Sequence, residues 1–146
     1  SSDLIGYRCP CSKPAVVQTP PRLSDGTPFP TFYYATCPRL TGAISTLESS
    51  GLMAEMNERL ATDSDLASAY QKAHQAYLAD RDALGIDVDE VDGISAGGMP
   101  DRVKCLHSLV AHSLSAGPGI NPLGDEALSK LPQWWQEYPC NTEMNA

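Results

Sequence analysis

The sequence predicts a mainly α fold with a small N-terminal β-hairpin, an α+β chain forming a single domain. Three observations carry this. Extended and proline-rich segments are confined to residues before 38, successive segments after it repeat apolar residues at helical spacing, and no internal repeat or low-complexity stretch divides the chain.

Ala15-Val16-Val17-Gln18 and Phe32-Tyr33-Tyr34-Ala35 flank the turn sequence Ser24-Asp25-Gly26-Thr27-Pro28, so two short paired strands are expected within residues 1–37. From Pro38, which suits a first helical turn, Leu40, Ala43, Ile44 and Leu47 recur at helical spacing until Gly51 can stop the helix. A second helix is expected over 52–60. Thr62-Asp63-Ser64-Asp65 then offers a cap to the longest helix, carried by Leu66, Ala69, Tyr70, Ala73, Tyr77, Leu78 and Leu84 and closed by Gly85. Residues 85–100 hold acids and glycines without periodicity and read as a surface loop with solvated acids. Pro100-Asp101 opens the next helix, whose stripe is Val103, Leu106, Leu109, Val110 and Leu114, and Gly117-Pro118-Gly119 stops it. A short helix over 125–131 completes a helical core spanning 38–131. Trp134-Trp135, in the tail 132–146, are expected to fold back onto that core.

Charge narrows the function. With 10 basic against 18 acidic side chains, the 146-residue chain carries a net charge of −8 and no basic cluster, so nucleic acid is not an expected partner. No run approaches the ~18 apolar residues of a membrane span, and the start of the chain lacks the pattern of an export signal. A soluble, cytoplasmic protein without a membrane partner is therefore expected. Five cysteines in a reducing compartment point away from a disulfide framework.

Cys9 and Cys37 are each followed by proline and sit where the chain changes direction, as ligand thiolates in rigid turns do; a packing cysteine belongs inside an apolar stripe. Cys105 falls at the edge of the stripe in the helix opened by Pro100. On that helix Asp101, four residues earlier, and His112, seven later, share its face, whereas His107 points away. Asp101, His112 and Cys11, the last next to Cys9-Pro10, are the candidate fourth ligands; Cys140 reads as an adventitious thiol. Structural zinc would take Cys9, Cys11, Cys37 and Cys105. A [4Fe–4S] cluster would take Cys9, Cys37 and Cys105 with a weak or open fourth site. The competing reading is that these cysteines are small core residues.

Gly97-Gly98 precede a helix start, where backbone N–H groups can hold an anion assisted by Arg102 and Lys104. His74, between Tyr70 and Tyr77, reads as a packed imidazole. Neither a Gly-x-Ser-x-Gly elbow nor a His-Glu-x-x-His helix is expected, so serine-hydrolase and zinc-protease chemistry are not assigned.

Arg8-Cys9, the run Asp25-Gly26-Thr27-Pro28-Phe29-Pro30-Thr31, Thr36-Cys37-Pro38, Leu47-Glu48 with Gly51, Gly97 through His107, His112, and Asn121-Pro122-Leu123-Gly124 together resemble a bacterial, chiefly actinobacterial family catalogued as domain of unknown function 501. The resemblance spans about residues 6 to 131 and implies no activity. It implies that Cys9, Cys37 and Cys105 match the family's three characteristic cysteines, and so favours a cluster over zinc. The leading expectation is thus a cytoplasmic iron–sulfur protein, a candidate Lewis-acid enzyme in which Gly97, Gly98, Arg102 and Lys104 orient a small anionic ligand. The alternatives are a structural-zinc protein acting on a protein partner, and a thiol or cluster redox sensor.

Overall fold

A computed structural model describes residues 4–135 of the chain. The expected hairpin is part of a three-stranded antiparallel sheet in the order β1 (Ile5–Arg8), β2 (Pro14–Gln18), β3 (Tyr33–Ala35), with Val17 opposite Tyr34. Strand β1 is too short for its alternation to stand out in the sequence. The turn after it is closed by hydrogen bonds from Cys9 N–H to the Lys13 carbonyl (2.9 Å) and from Ser12 N–H to the Cys9 carbonyl (2.7 Å).

Among the described residues five α-helices follow: α1 (Pro38–Glu48), α2 (Leu52–Thr62), α3 (Ser64–Asp82), α4 (Leu106–Ala116) and α5 (Pro122–Ser129). Their ends obey local chemistry. Pro38 starts α1, Gly51 takes φ 90° to turn the chain into α2, and the Asp63 side chain accepts the Leu66 N–H at the start of α3. Asn121 does the same for α5, accepting from Gly124 N–H at 2.9 Å.

Helix α4 is the centre of the molecule. It is buried continuously from Ser108 to Ser113 and packs on the sheet, on α1 and on α5. The core gathers Val16, Leu40, Ile44, Met56, Tyr70, Tyr77, Leu106, Leu109 and Leu123, all fully buried. Trp134 joins this core and Trp135 packs against it, as expected; Cys140 lies outside the described residues.

The start of α4 differs from expectation by one and a half turns. Residues 102–105 belong to no helix, because tertiary hydrogen bonds hold them. The Asn57 amide accepts from Val103 N–H (2.8 Å) and donates to the Val103 carbonyl (3.1 Å), as a paired strand would, and the Tyr70 hydroxyl donates to the Arg102 carbonyl (3.0 Å). These bonds satisfy the backbone where the first helical turn was expected.

The segment 85–100 is a loop, yet it is firmly tied. Buried Arg81 of α3 donates to the carbonyls of Pro30 (2.8 Å), Ile94 (2.7 Å) and Val91 (2.9 Å), clamping two loops onto the helix. Among the described residues no helix is long and apolar enough to cross a membrane.

Candidate metal centre

Glu48 is the last residue of α1, and the packing of α1 on α4 brings its carboxylate to the first turn of α4. Its Oε2 accepts the Leu106 N–H at 2.7 Å and lies 3.1 Å from His107 Nδ1. A helix start exposes unpaired N–H groups and favours negative charge, so the carboxylate satisfies both. On its other side His107 Nε2 lies 3.3 Å from the Thr41 carbonyl and 3.3 Å from Ser45 Oγ, both on α1.

Cys105 occupies the capping position of α4 with extended backbone (φ −151°, ψ 114°), and Ser108 Oγ donates to its sulfur at 3.8 Å. One ligand atom each from Glu48, Cys105 and His107 all lie within 4.8 Å of one another, and all three residues are half-buried. Among the described residues no other group of three or more His, Cys, Asp or Glu side chains meets that condition.

Cys105 and His107, but not Glu48, line a cavity of about 710 Å³ together with Ser108, Phe29, Tyr33, Tyr34 and Pro38. All three residues of β3 contribute to this wall, which is largely apolar.

This geometry overturns the iron–sulfur expectation. The gathered trio holds one cysteine, whereas a [4Fe–4S] cluster with one open iron needs three thiolates. Cys9 and Cys37 do not join Cys105: both are buried in the apolar core, Cys37 at the capping position of α1 and Cys9 in the β1–β2 turn, where its sulfur accepts the Cys11 N–H at 3.5 Å. Prolines after these cysteines shape chain turns and do not create a ligand knuckle. Cys9, Cys11, Cys37 and Cys105 do not form a gathered group of this kind among the described residues. Because residues 102–105 are not helical, the helical arithmetic joining Asp101 to Cys105 does not apply, and Asp101 lies on an exposed turn. The extended backbone at Cys105 lets Cys105 and His107, two residues apart, meet, so the imidazole set aside on helical grounds is the one beside the thiol. No cap-type residue precedes Leu106 to mark the true helix start, and Glu48 carries no local signal of a site.

His112, another candidate fourth ligand, is fully buried. It stacks on Tyr33 (centroids 5.7 Å apart, planes at 16°) and meets Tyr77 edge-on at 5.0 Å. Asn121 Oδ1 is committed to Gly124 N–H, so its Nδ2 faces His112 Nδ1 at 3.1 Å and the ring proton sits on Nε2. Burial holds the His112 pKa down at about 4, against an opposing pull from Asp80 and Asp125. The ring is neutral and is spent on packing.

Gly97, Gly98, Arg102 and Lys104 do come together, around a second cavity of about 360 Å³ shared with Ser95, Ala96 and Asp101. Gly97 (φ 68°) and Gly98 (φ 93°) fold the chain back so that Lys104 N–H reaches the Gly97 carbonyl at 2.7 Å and Arg102 N–H the Gly98 carbonyl at 3.0 Å.

A family model described as "Protein of unknown function (DUF501)" matches residues 5–129, nearly the whole described chain. The chain belongs to this family. Neither a curated protein nor a solved structure matches it. Membership therefore brings no reaction to these residues, and their chemistry has to be read from the geometry.

Proposed function

We propose that this DUF501 protein is a zinc-class binding module, in which one ion held by Glu48, Cys105 and His107 ties the end of α1 to the start of α4 beside the apolar cavity. The carrying observation is the approach of carboxylate, thiol and imidazole atoms to within 4.8 Å of one another. A mixed O, S and N donor set suits a borderline ion such as zinc better than calcium or magnesium, which take oxygen alone. Three protein ligands leave one position for water or a ligand donor.

The cavity gives that position a use. A partner carrying an apolar or aromatic group would pack against Phe29, Tyr33, Tyr34 and Pro38 in the cavity that Cys105 and His107 also line. Such a partner is a protein side chain or a small molecule with one metal-seeking atom.

Thermal unfolding of the purified, chelator-treated protein tests this reading. Added zinc should raise the midpoint of the wild type and leave Cys105→Ser and His107→Ala unshifted, because an ion bound by the native state alone stabilises it in proportion to its occupancy. An equal shift in all three proteins would refute the site.

A further inference from the structure

We propose that Ser95 and His74 are the nucleophile and the general base of a second, metal-independent site, one that cleaves small esters or thioesters carrying an anionic group. Ser95 Oγ lies 2.7 Å from His74 Nδ1, a contact between two buried side chains that joins the loop 85–100 to α3. A serine hydroxyl donating to an imidazole at this distance is the pairing that nucleophilic acyl transfer requires.

Ser95 opens on the wall of the 360 Å³ cavity, and the rest of the apparatus lines the same space. Among the described residues the N–H groups of Ala96, Gly97 and Gly98 make no hydrogen bond, so they are donors without a partner at a cavity wall. Ala96 is buried and Gly97 and Gly98 are half-buried, and the residue after a nucleophilic serine commonly supplies one oxyanion donor. Arg102 and Lys104 supply positive charge at this cavity, which assigns the anionic end of the substrate to them.

Burial lowers the His74 pKa and Arg81 acts in the same direction, while the Asp101 carboxylate acts against both. The imidazole is thereby neutral and able to accept a proton at pH 7. The negative charge of Asp101 favours the imidazolium formed during reaction.

Gly93-Ile94-Ser95-Ala96-Gly97 does carry the Gly-x-Ser-x-Gly spacing, which corrects the expectation that the chain has none. No strand precedes it, no helix follows it, and Ser95 has no positive φ, so this is not the strained elbow of the α/β-hydrolases. The likeness is one of roles.

The reaction balances without a co-reactant other than water. Ser95 Oγ attacks the acyl carbon as its proton passes to His74 Nδ1, and the resulting oxyanion is met by the loop N–H groups. Collapse breaks the bond to the leaving oxygen or sulfur, which takes the proton from His74, and leaves an acyl-Ser95 ester. Water then attacks that ester, giving one proton to His74; the acid departs and the proton returns to Ser95 Oγ.

The full chain, treated with a fluorophosphonate probe and read by intact mass and peptide mapping, tests the proposal. One adduct on Ser95 is expected, absent in Ser95→Ala, and formed about 100-fold more slowly in His74→Gln. On wild-type protein, a nitrophenyl hemiester of a dicarboxylic acid should be cleaved with a lower KM than the neutral acetate ester, and Lys104→Ala should narrow that difference. Absence of an adduct at Ser95 in the wild type, or equal labelling rates in the wild type and a folded His74→Gln, would overturn it. A Ser95–His74 bond that only anchors the loop predicts those latter results.

Discussion

The Glu48 carboxylate caps a helix 58 residues further along the chain, accepting the Leu106 N–H at 2.7 Å with the same oxygen that meets His107. One side chain therefore closes the start of α4, orients an imidazole and supplies a candidate ligand. A carboxylate has about four lone-pair positions, so these duties are compatible.

Glu48→Ala should cost about 1–2 kcal/mol in denaturant unfolding, because it leaves the Leu106 N–H half-buried and unpaired. Glu48→Gln, which keeps an acceptor oxygen, should recover most of that stability while weakening zinc binding. Equal losses in both variants would show that charge alone accounts for the capping.

Buried His112 predicts a pH dependence of known sign. Its folded pKa of about 4 lies below the usual 6.5, so the unfolded chain binds more protons between those values and stability falls as pH is lowered from about 6.5 toward 4. The full effect is up to about 3 kcal/mol. Unfolding free energies at several pH values should decline less steeply in His112→Gln than in the wild type; parallel slopes would contradict the assignment.

Gly124 allows α5 to lie directly on α4. A Cβ there would collide with the Leu109 carbonyl and with Ser113 Oγ. Gly124→Ala should lower stability by about 1–3 kcal/mol despite the helix propensity of alanine, since overpacking outweighs it. A raised melting temperature would show that the two helices separate without cost.

Arg81 holds three backbone carbonyls from two loops. Arg81→Met should destabilise the chain by about 2–4 kcal/mol and speed amide exchange over residues 91–98 ahead of the helices. Uniform exchange would mean the loop is held by other contacts.

Much of the fold was legible because its signals are local. Pro38, Gly51, Asp63 and the 3.6-residue stripes mark α1, α2 and α3 without reference to distant residues. The start of α4 was not legible, because Asn57 and Tyr70, far away in sequence, hold Arg102 and Val103 outside the helix. The candidate site depended on that detail. Cys105 was marked in the sequence, but its neighbours were chosen by helical geometry that the backbone does not follow, and Glu48 arrives through the packing of α1 on α4. Cys9 and Cys37 sit in the turns their prolines imply, yet face the core.

Metal and acid-labile sulfide content of untagged protein, grown and purified without chelators, tests the central claim most directly. The account predicts about one zinc-class ion per chain and no sulfide, with the ion lost in Cys105→Ser and His107→Ala and retained in a folded Cys37→Ala. Iron with matching sulfide, or zinc retained by Cys105→Ser, would contradict it.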